Sequence, residues 1–215
     1  MELSEQELVR RQSLQTMRDL GINPYPADEY VVTGYSTDVK AQFVDEPLPE
    51  GSEKITGEWH SGEPIRIAGR LMSRRIMGKA SFIEIQDSKG RIQVYVSRDD
   101  IQAPTPEGEQ PTTVEQQMYN IVFKKLLDIG DFIGIEGFVF RTQMGEISVH
   151  AKQLTVLAKS LKPLPIVKYK DGVAYDGFHD PEQRYRQRYV DLVVNEGVKD
   201  TFLKRATIVR TMRQV

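Results

Sequence analysis

The sequence contains no cysteine. Disulfides and thiolate metal sites are therefore excluded, and a reducing compartment is the simpler reading. No apolar run approaches the ~18 residues that a membrane-spanning helix needs, so no membrane partner is expected. The first residues, Met1-Glu-Leu-Ser-Glu-Gln-Glu7, are acidic and lack the apolar stretch of a signal peptide. The expected location is the cytoplasm. Histidine is scarce. His60, His150 and His179 stand far apart, and none has a second ligand three or four places on, so no metal site is expected. No P-loop is present, and Gly134-Ile-Glu-Gly137 reads only as glycine in a strand. No Ser-His-Asp arrangement follows from spacing. No catalytic residue is assigned in this chain.

What is present suits an ordinary folded chain. Hydrophobic residues make up 39 % of the 215, too many for a wholly disordered sequence. The net charge of −2 hides a split. Residues 1–64 hold 13 acidic and 5 basic side chains, whereas residues 65–215 hold 18 acidic and 24 basic, a balance of +6. A polyanionic partner fits the second part, although charge alone is weak support.

The chain divides by pattern. Residues 4–20 predict a helix, with Ser4 and Glu7 as a capping box and Gly21 and Pro24 as stops. Residues 24–64 read as an irregular connector with one short helix near Asp38–Val44. From residue 65 the period becomes 2. Ile65, Ile67, Gly69 and Leu71 alternate with Arg66, Ala68, Arg70 and Met72, which predicts a strand. Ser81–Asp87 and Arg91–Ser97 follow as strands, joined by the turn Asp87-Ser-Lys-Gly90. Residues 102–116 read as a surface insertion, and residues 117–128 as a helix. Asp131–Arg141 and Glu146–Leu157 complete five strands, linked by the hairpin loop Thr142-Gln-Met-Gly145. Three strands, a helix and two strands is the order of an OB-fold, a partly open barrel, with a small sandwich as the alternative. Residues 159–180 read as a linker. Asp180-Pro181 opens a helix to about Asn195, and Gly197 precedes another that is expected to be cut short at residue 215. The expected segments are 1–64 (helix and connector), 65–158 (barrel), 159–180 (linker) and 181–215 (start of a second domain).

Strands two and three say which face is wet. Ile83 and Ile85 share one face with Ser81 and Asp87, while Phe82, Glu84 and Gln86 share the other. Burying Glu84 and Gln86 unpaired costs roughly 2–7 kcal/mol, so the isoleucines face the core and Phe82 faces out. Likewise Ile92, Val94 and Val96 point in, and Arg91, Gln93 and Tyr95 point out. Arg74, Arg75, Lys79 and Arg91 flank this face. An exposed aromatic can stack on an unstacked base, an amide can read a base edge, and arginines neutralise phosphate. Two bland readings stay open: Phe82 covered by the N-terminal helix or by the connector, and Arg74 and Arg75 as a solvated turn. The run Arg184-Tyr-Arg-Gln-Arg-Tyr189 suits phosphate binding, or a packed helix with Tyr185 stacked on Tyr189, and packing is favoured.

Several motifs in order resemble one family. Gly69-Arg-Leu-Met-Ser-Arg-Arg-Ile-Met-Gly-Lys-Ala-Ser-Phe82, Gln86-Asp87 and Gly90-Arg-Ile-Gln-Val-Tyr95 resemble the anticodon-binding barrel of bacterial lysyl-tRNA synthetases. Leu161-Lys-Pro-Leu-Pro165 resembles the family's linker. Arg184-Tyr-Arg-Gln-Arg-Tyr-Val-Asp-Leu192 resembles the opening of its class II catalytic domain, and Thr201-Phe-Leu-Lys-Arg205 through Arg213 the start of motif 1, the dimer-interface helix. The resemblance implies a mainly β fold: a five-stranded OB-fold barrel with an N-terminal helix and the first helices of that catalytic domain. It implies that Arg75, Phe82 and Gln93 recognise the central uridine of the anticodon, with Glu146 of the last hairpin assisting. Arg74, Lys79 and Arg91 are the expected supports of the RNA backbone. Strict alternation turns Arg75 inward, so its role needs a bulge or strand end near Ser73. The resemblance further implies a lysine-tRNA ligase that uses ATP and magnesium and works as a homodimer on tRNA(Lys). This chain, without motifs 2 and 3, is expected to bind tRNA without aminoacylating it. A generic single-stranded nucleic-acid module, a fragment that chiefly dimerises, and an aspartyl- or asparaginyl-type synthetase fragment are the alternatives.

Overall fold

The structure, a computed structural model, describes residues 3–44, 64–103, 108–165, 168–170, 173–175, 177–195 and 197–214. Much of the connector and the middle of the 102–116 insertion, and with them His60 and Gly172, lie outside the described residues. The chain forms two compact units, Met1–Pro163 and Leu164–Val215.

Five strands make the first unit: β1 (Ile65–Met77), β2 (Ala80–Gln86), β3 (Arg91–Ser97), β4 (Phe132–Arg141) and β5 (Ile147–Ala158). They close as a barrel in the order β1-β2-β3-β5-β4. β1 is long enough to serve two neighbours. Its first half pairs with β4 and its second half with β2. The parallel pairing of β3 with β5, Gln93 opposite Ser148 through Val96 opposite Ala151, seals the barrel. The predicted alternation holds: Ile65, Ile67, Ile83, Ile85, Ile92 and Val94 are buried in the core. Each fully buried aliphatic side chain contributes about 1.5–3 kcal/mol relative to an exposed one.

A helix between β3 and β4 plugs one end of the barrel. The short α3 (Arg98–Ile101) precedes it. The plug, α4, is α-helical over Val114–Gln117 and widens to π-type hydrogen bonding over Met118–Leu126. It starts earlier than the sequence pattern predicted, because Thr113 and Gln116 form a capping box. Tyr119, Val122 and Phe123 enter the core, and the Tyr119 hydroxyl bonds Ser81 and the Gly78 carbonyl. Helix α1 (Glu5–Asp19) carries the predicted Ser4–Glu7 capping box and packs on the plug, with Met17 fully buried. Helix α2 (Ser36–Gln42) covers β3, its first turn held by Asp87, which accepts from the Ser36 N–H and hydroxyl.

Close approach fixes one glycine. A Cβ on Gly137 would stand 1.9 Å from the His150 carbonyl oxygen, at the bulge where β4 and β5 change register.

The second unit departs from expectation in two places. The linker contains a two-stranded hairpin, β6 (Lys168–Lys170) with β7 (Val173–Tyr175), that its proline and glycine content concealed. The predicted 181–195 helix breaks at Gln187 into α5 (Pro181–Arg186) and α6 (Arg188–Val194). Tyr185 and Tyr189 therefore do not stack in a packed helix; they are 77 % and 64 % exposed. The arginines are spent structurally, since Arg184 and Arg188 both pair with the buried Asp191. The last helix, α7 (Val198–Gln214), keeps its apolar residues exposed, Phe202 and Val209 among them.

Candidate nucleic-acid interface

The outer face of β2 and β3 forms one wall of a groove of about 1210 Å³. Arg75, Phe82, Gln93 and Glu146 all line it, as does Arg91. They come from β1, β2, β3 and the β4–β5 hairpin, so the barrel gathers residues that are up to 71 positions apart in the sequence.

The placement of Arg75 has a local cause. The β1–β2 register shifts between Leu71 and Ser73, leaving Met72 as an extra residue. Leu71 and Met72 are both buried, and the alternation restarts one residue late. Arg75 then pairs with Phe82 on the outer face. A bulge of this kind re-aims a side chain without ending the strand. Arg75 makes no hydrogen bond or ion pair among the described residues, which leaves its guanidinium donors free for a ligand.

The same shift sends Arg74 the other way, and this corrects the expectation that it supports an RNA backbone. Its guanidinium donates to the carbonyls of Phe123 (2.7 Å) and Leu127 (2.8 Å) at the end of the plug helix. These are carbonyls that a helix C-terminus leaves without intrahelical partners. Burial lowers the Arg74 pKa, with Asp128 and Asp131 acting against it. Lys79 is exposed at the β1–β2 turn and does not line the groove. Arg91 does line it, and donates to Glu84 and Gln86, each at 3.2 Å.

Phe82 lies opposite Tyr95, with ring centroids 5.3 Å apart and planes tilted by 56°. Helix α1 packs on the plug, and Phe82 is half-buried on the groove wall. The aromatic surface continues where the sequence reading did not look. Tyr95 meets His150 edge-on at 4.9 Å, and Phe138 and Phe140 border the same ring. The alternation of Phe138 and Phe140 about the buried Val139 was the available signal. Asp100 bonds His150 Nε2 at 2.8 Å and also accepts from Lys152. Burial pushes the Asp100 carboxyl up, but the bonds from Lys152 and His150 outweigh it and hold the pKa below the ordinary value. Burial, then the nearby Asp100, raises the Tyr95 phenol, so it remains a neutral donor.

Gln93 and Glu146 are positioned by β5 and its hairpin. The Ser148 hydroxyl donates to Gln93 Oε1 at 2.9 Å. Gly145, at φ +88°, makes the tight turn before Glu146. The Glu146 N–H donates to Thr142 Oγ1 at 3.1 Å, and its carboxylate pairs with Lys40 of α2 at 2.9 Å. Both partners of that pair are well exposed, so it is worth about 0–1 kcal/mol and a ligand can exchange it. Among the described residues no three His, Cys, Asp or Glu side chains gather as metal ligands, and no helix is long and apolar enough to cross a membrane.

Comparison with known proteins agrees with this geometry. Residues 65–157 match the family model of the tRNA anti-codon type, an OB-fold nucleic acid binding domain. The chain is 57 % identical over 213 residues to the lysine–tRNA ligase of Porphyromonas gingivalis strain W83, covering 99 % of this chain and 33 % of that relative. It is 54 % identical over 211 residues to the lysine–tRNA ligase of Azobacteroides pseudotrichonymphae, covering 98 % of this chain and 38 % of that relative. For the lysine–tRNA ligase of Christiangramia forsetii the identity is 51 % over 213 residues, covering 99 % and 33 %. The chain thus spans about a third of the length of the curated relatives it matches.

Proposed function

The chain belongs to the lysine–tRNA ligase family, and on that premise we propose that its barrel reads the anticodon of tRNA(Lys). The observation that carries this reading is the convergence of Arg75, Phe82, Gln93 and Glu146 on one groove. Phe82 stacks on the central uridine, and Arg75 and Gln93 meet its base edge. Glu146 exchanges Lys40 for a donor on the neighbouring nucleotide. Arg91 and Lys79 screen the phosphates, and Arg74 supports the barrel.

The ligase reaction belongs to the whole protein. It joins lysine to ATP with magnesium as lysyl-adenylate, releasing pyrophosphate, then transfers the lysyl group to the 3′-terminal adenosine of tRNA(Lys) with release of AMP, in a cytoplasmic homodimer. The part of this chain is to select the tRNA.

Binding of the chain to an anticodon stem-loop carrying UUU, compared at one fixed salt with a loop whose central uridine is cytidine, tests the reading. A uridine preference of about tenfold or more is expected. Equal affinity for the two loops contradicts anticodon reading and leaves a generic single-strand binder.

A further inference from the structure

We propose that Ser148 is a positioning residue that sets which base the groove accepts, by holding the Gln93 amide in one orientation. The inference rests on the anticodon reading above and deepens it. Ser148 lies opposite Gln93 in the parallel β3–β5 pairing and is fully buried beneath it. A buried hydroxyl needs a partner. It has two acceptors in reach: Gln93 Oε1 at 2.9 Å and the Glu146 carbonyl at 3.4 Å. The first is within the usual O–H···O range and the second outside it. Ser148 therefore spends its only proton on the Gln93 carbonyl oxygen.

The consequence is chemical. With Oε1 turned down to Ser148, Gln93 presents its NH₂ to the groove, where it has no partner among the described residues. Arg75, the other base-facing group, is also purely a donor. Donors lining one groove match a base edge with carbonyl oxygens, and uridine presents O4 where cytidine presents an amino group. A donor facing a donor leaves both unpaired and desolvated, and that is what rejects cytidine. Unpinned, the Gln93 amide can turn over and offer its oxygen to the cytidine amino group. The rejection of cytidine thus comes from a residue that never touches the RNA.

The test uses the full chain and the same two stem-loops, with Ser148→Ala and Gln93→Glu. Ser148→Ala is expected to keep its affinity for the uridine loop within about twofold while its affinity for the cytidine loop rises, so the preference falls from about tenfold to about twofold. Gln93→Glu offers only an acceptor to the groove, and the preference is expected to reverse toward cytidine. Gln93 is only part-buried, so this variant keeps the test decisive if Ser148→Ala folds poorly. Equal losses for both loops in Ser148→Ala, or a uridine preference that persists in Gln93→Glu, overturn the inference while the anticodon reading stands. A wild-type chain with no uridine preference removes that reading itself.

Discussion

Phe82→Ala lowers the affinity of the chain for the UUU stem-loop by roughly 5- to 150-fold, the equivalent of the 1–3 kcal/mol that one base–aromatic stack contributes. The variant leaves the fold almost untouched, because Phe82 stands on the outer face and the core beneath it is supplied by Ile83 and Ile85. It leaves the salt dependence of binding unchanged as well, since no phosphate contact is removed. A calorimetric titration at two salt concentrations, paired with a urea unfolding curve, separates these effects. A loss of affinity accompanied by an equal loss of stability means that Phe82 is a core residue, and an unchanged affinity means that no base stacks there.

Lys159→Met destabilises the barrel by about 3–5 kcal/mol, the usual consequence of removing one member of a buried ion pair. The Lys159 side chain is fully buried where β5 leaves the barrel. It pairs with the equally buried Asp131 at 2.9 Å and with Asp128. Asp131 also accepts from the backbone N–H groups of Asp128 and Ser160, each at 2.7 Å. Burial raises the Asp131 carboxyl above its ordinary value even though Lys159 and those N–H groups pull it down. Without Lys159 the carboxylate loses its ion-pair partner, and only the field of Arg70 and Arg74 and the two N–H bonds still oppose the upward push. A carboxyl whose folded pKa is raised binds its proton more tightly in the folded state. Stability then falls as pH rises from the unfolded value through the folded one. The gap between variant and wild type is therefore smallest on the acid side and widens through that window. Urea midpoints measured across pH check this, and a gap that stays under about 1 kcal/mol or narrows as pH rises contradicts it.

The barrel was legible because a strand with one buried face repeats every two residues, and β2 and β3 obey that rule without a break. The same rule put Phe82, Gln93 and Tyr95 on the outer face. It failed at Arg74 and Arg75 because Leu71 and Met72 are both apolar, and which of them is the extra residue is decided by pairing with β2. Arg74 was misread for a related reason: adjacent arginines look alike until the bulge sends one to the carbonyls of the plug helix. Ser148 carried no signal, since a serine in a strand shows its partner only when the parallel β3–β5 pairing forms. The linker hairpin was hidden by the proline and glycine around it, and no proline or glycine announces the break at Gln187. The resemblance to the synthetase family supplied Glu146, whose position in a hairpin loop says nothing by periodicity.

Photocrosslinking shows where the central anticodon base sits. A stem-loop with 5-bromouridine at the central anticodon position is bound to the chain, irradiated, and the adduct mapped by peptide sequencing. Attachment is expected at Phe82 or Tyr95, on β2 or β3 of the groove. Attachment outside the groove, for example on α7, would place the base elsewhere and contradict anticodon reading by this groove.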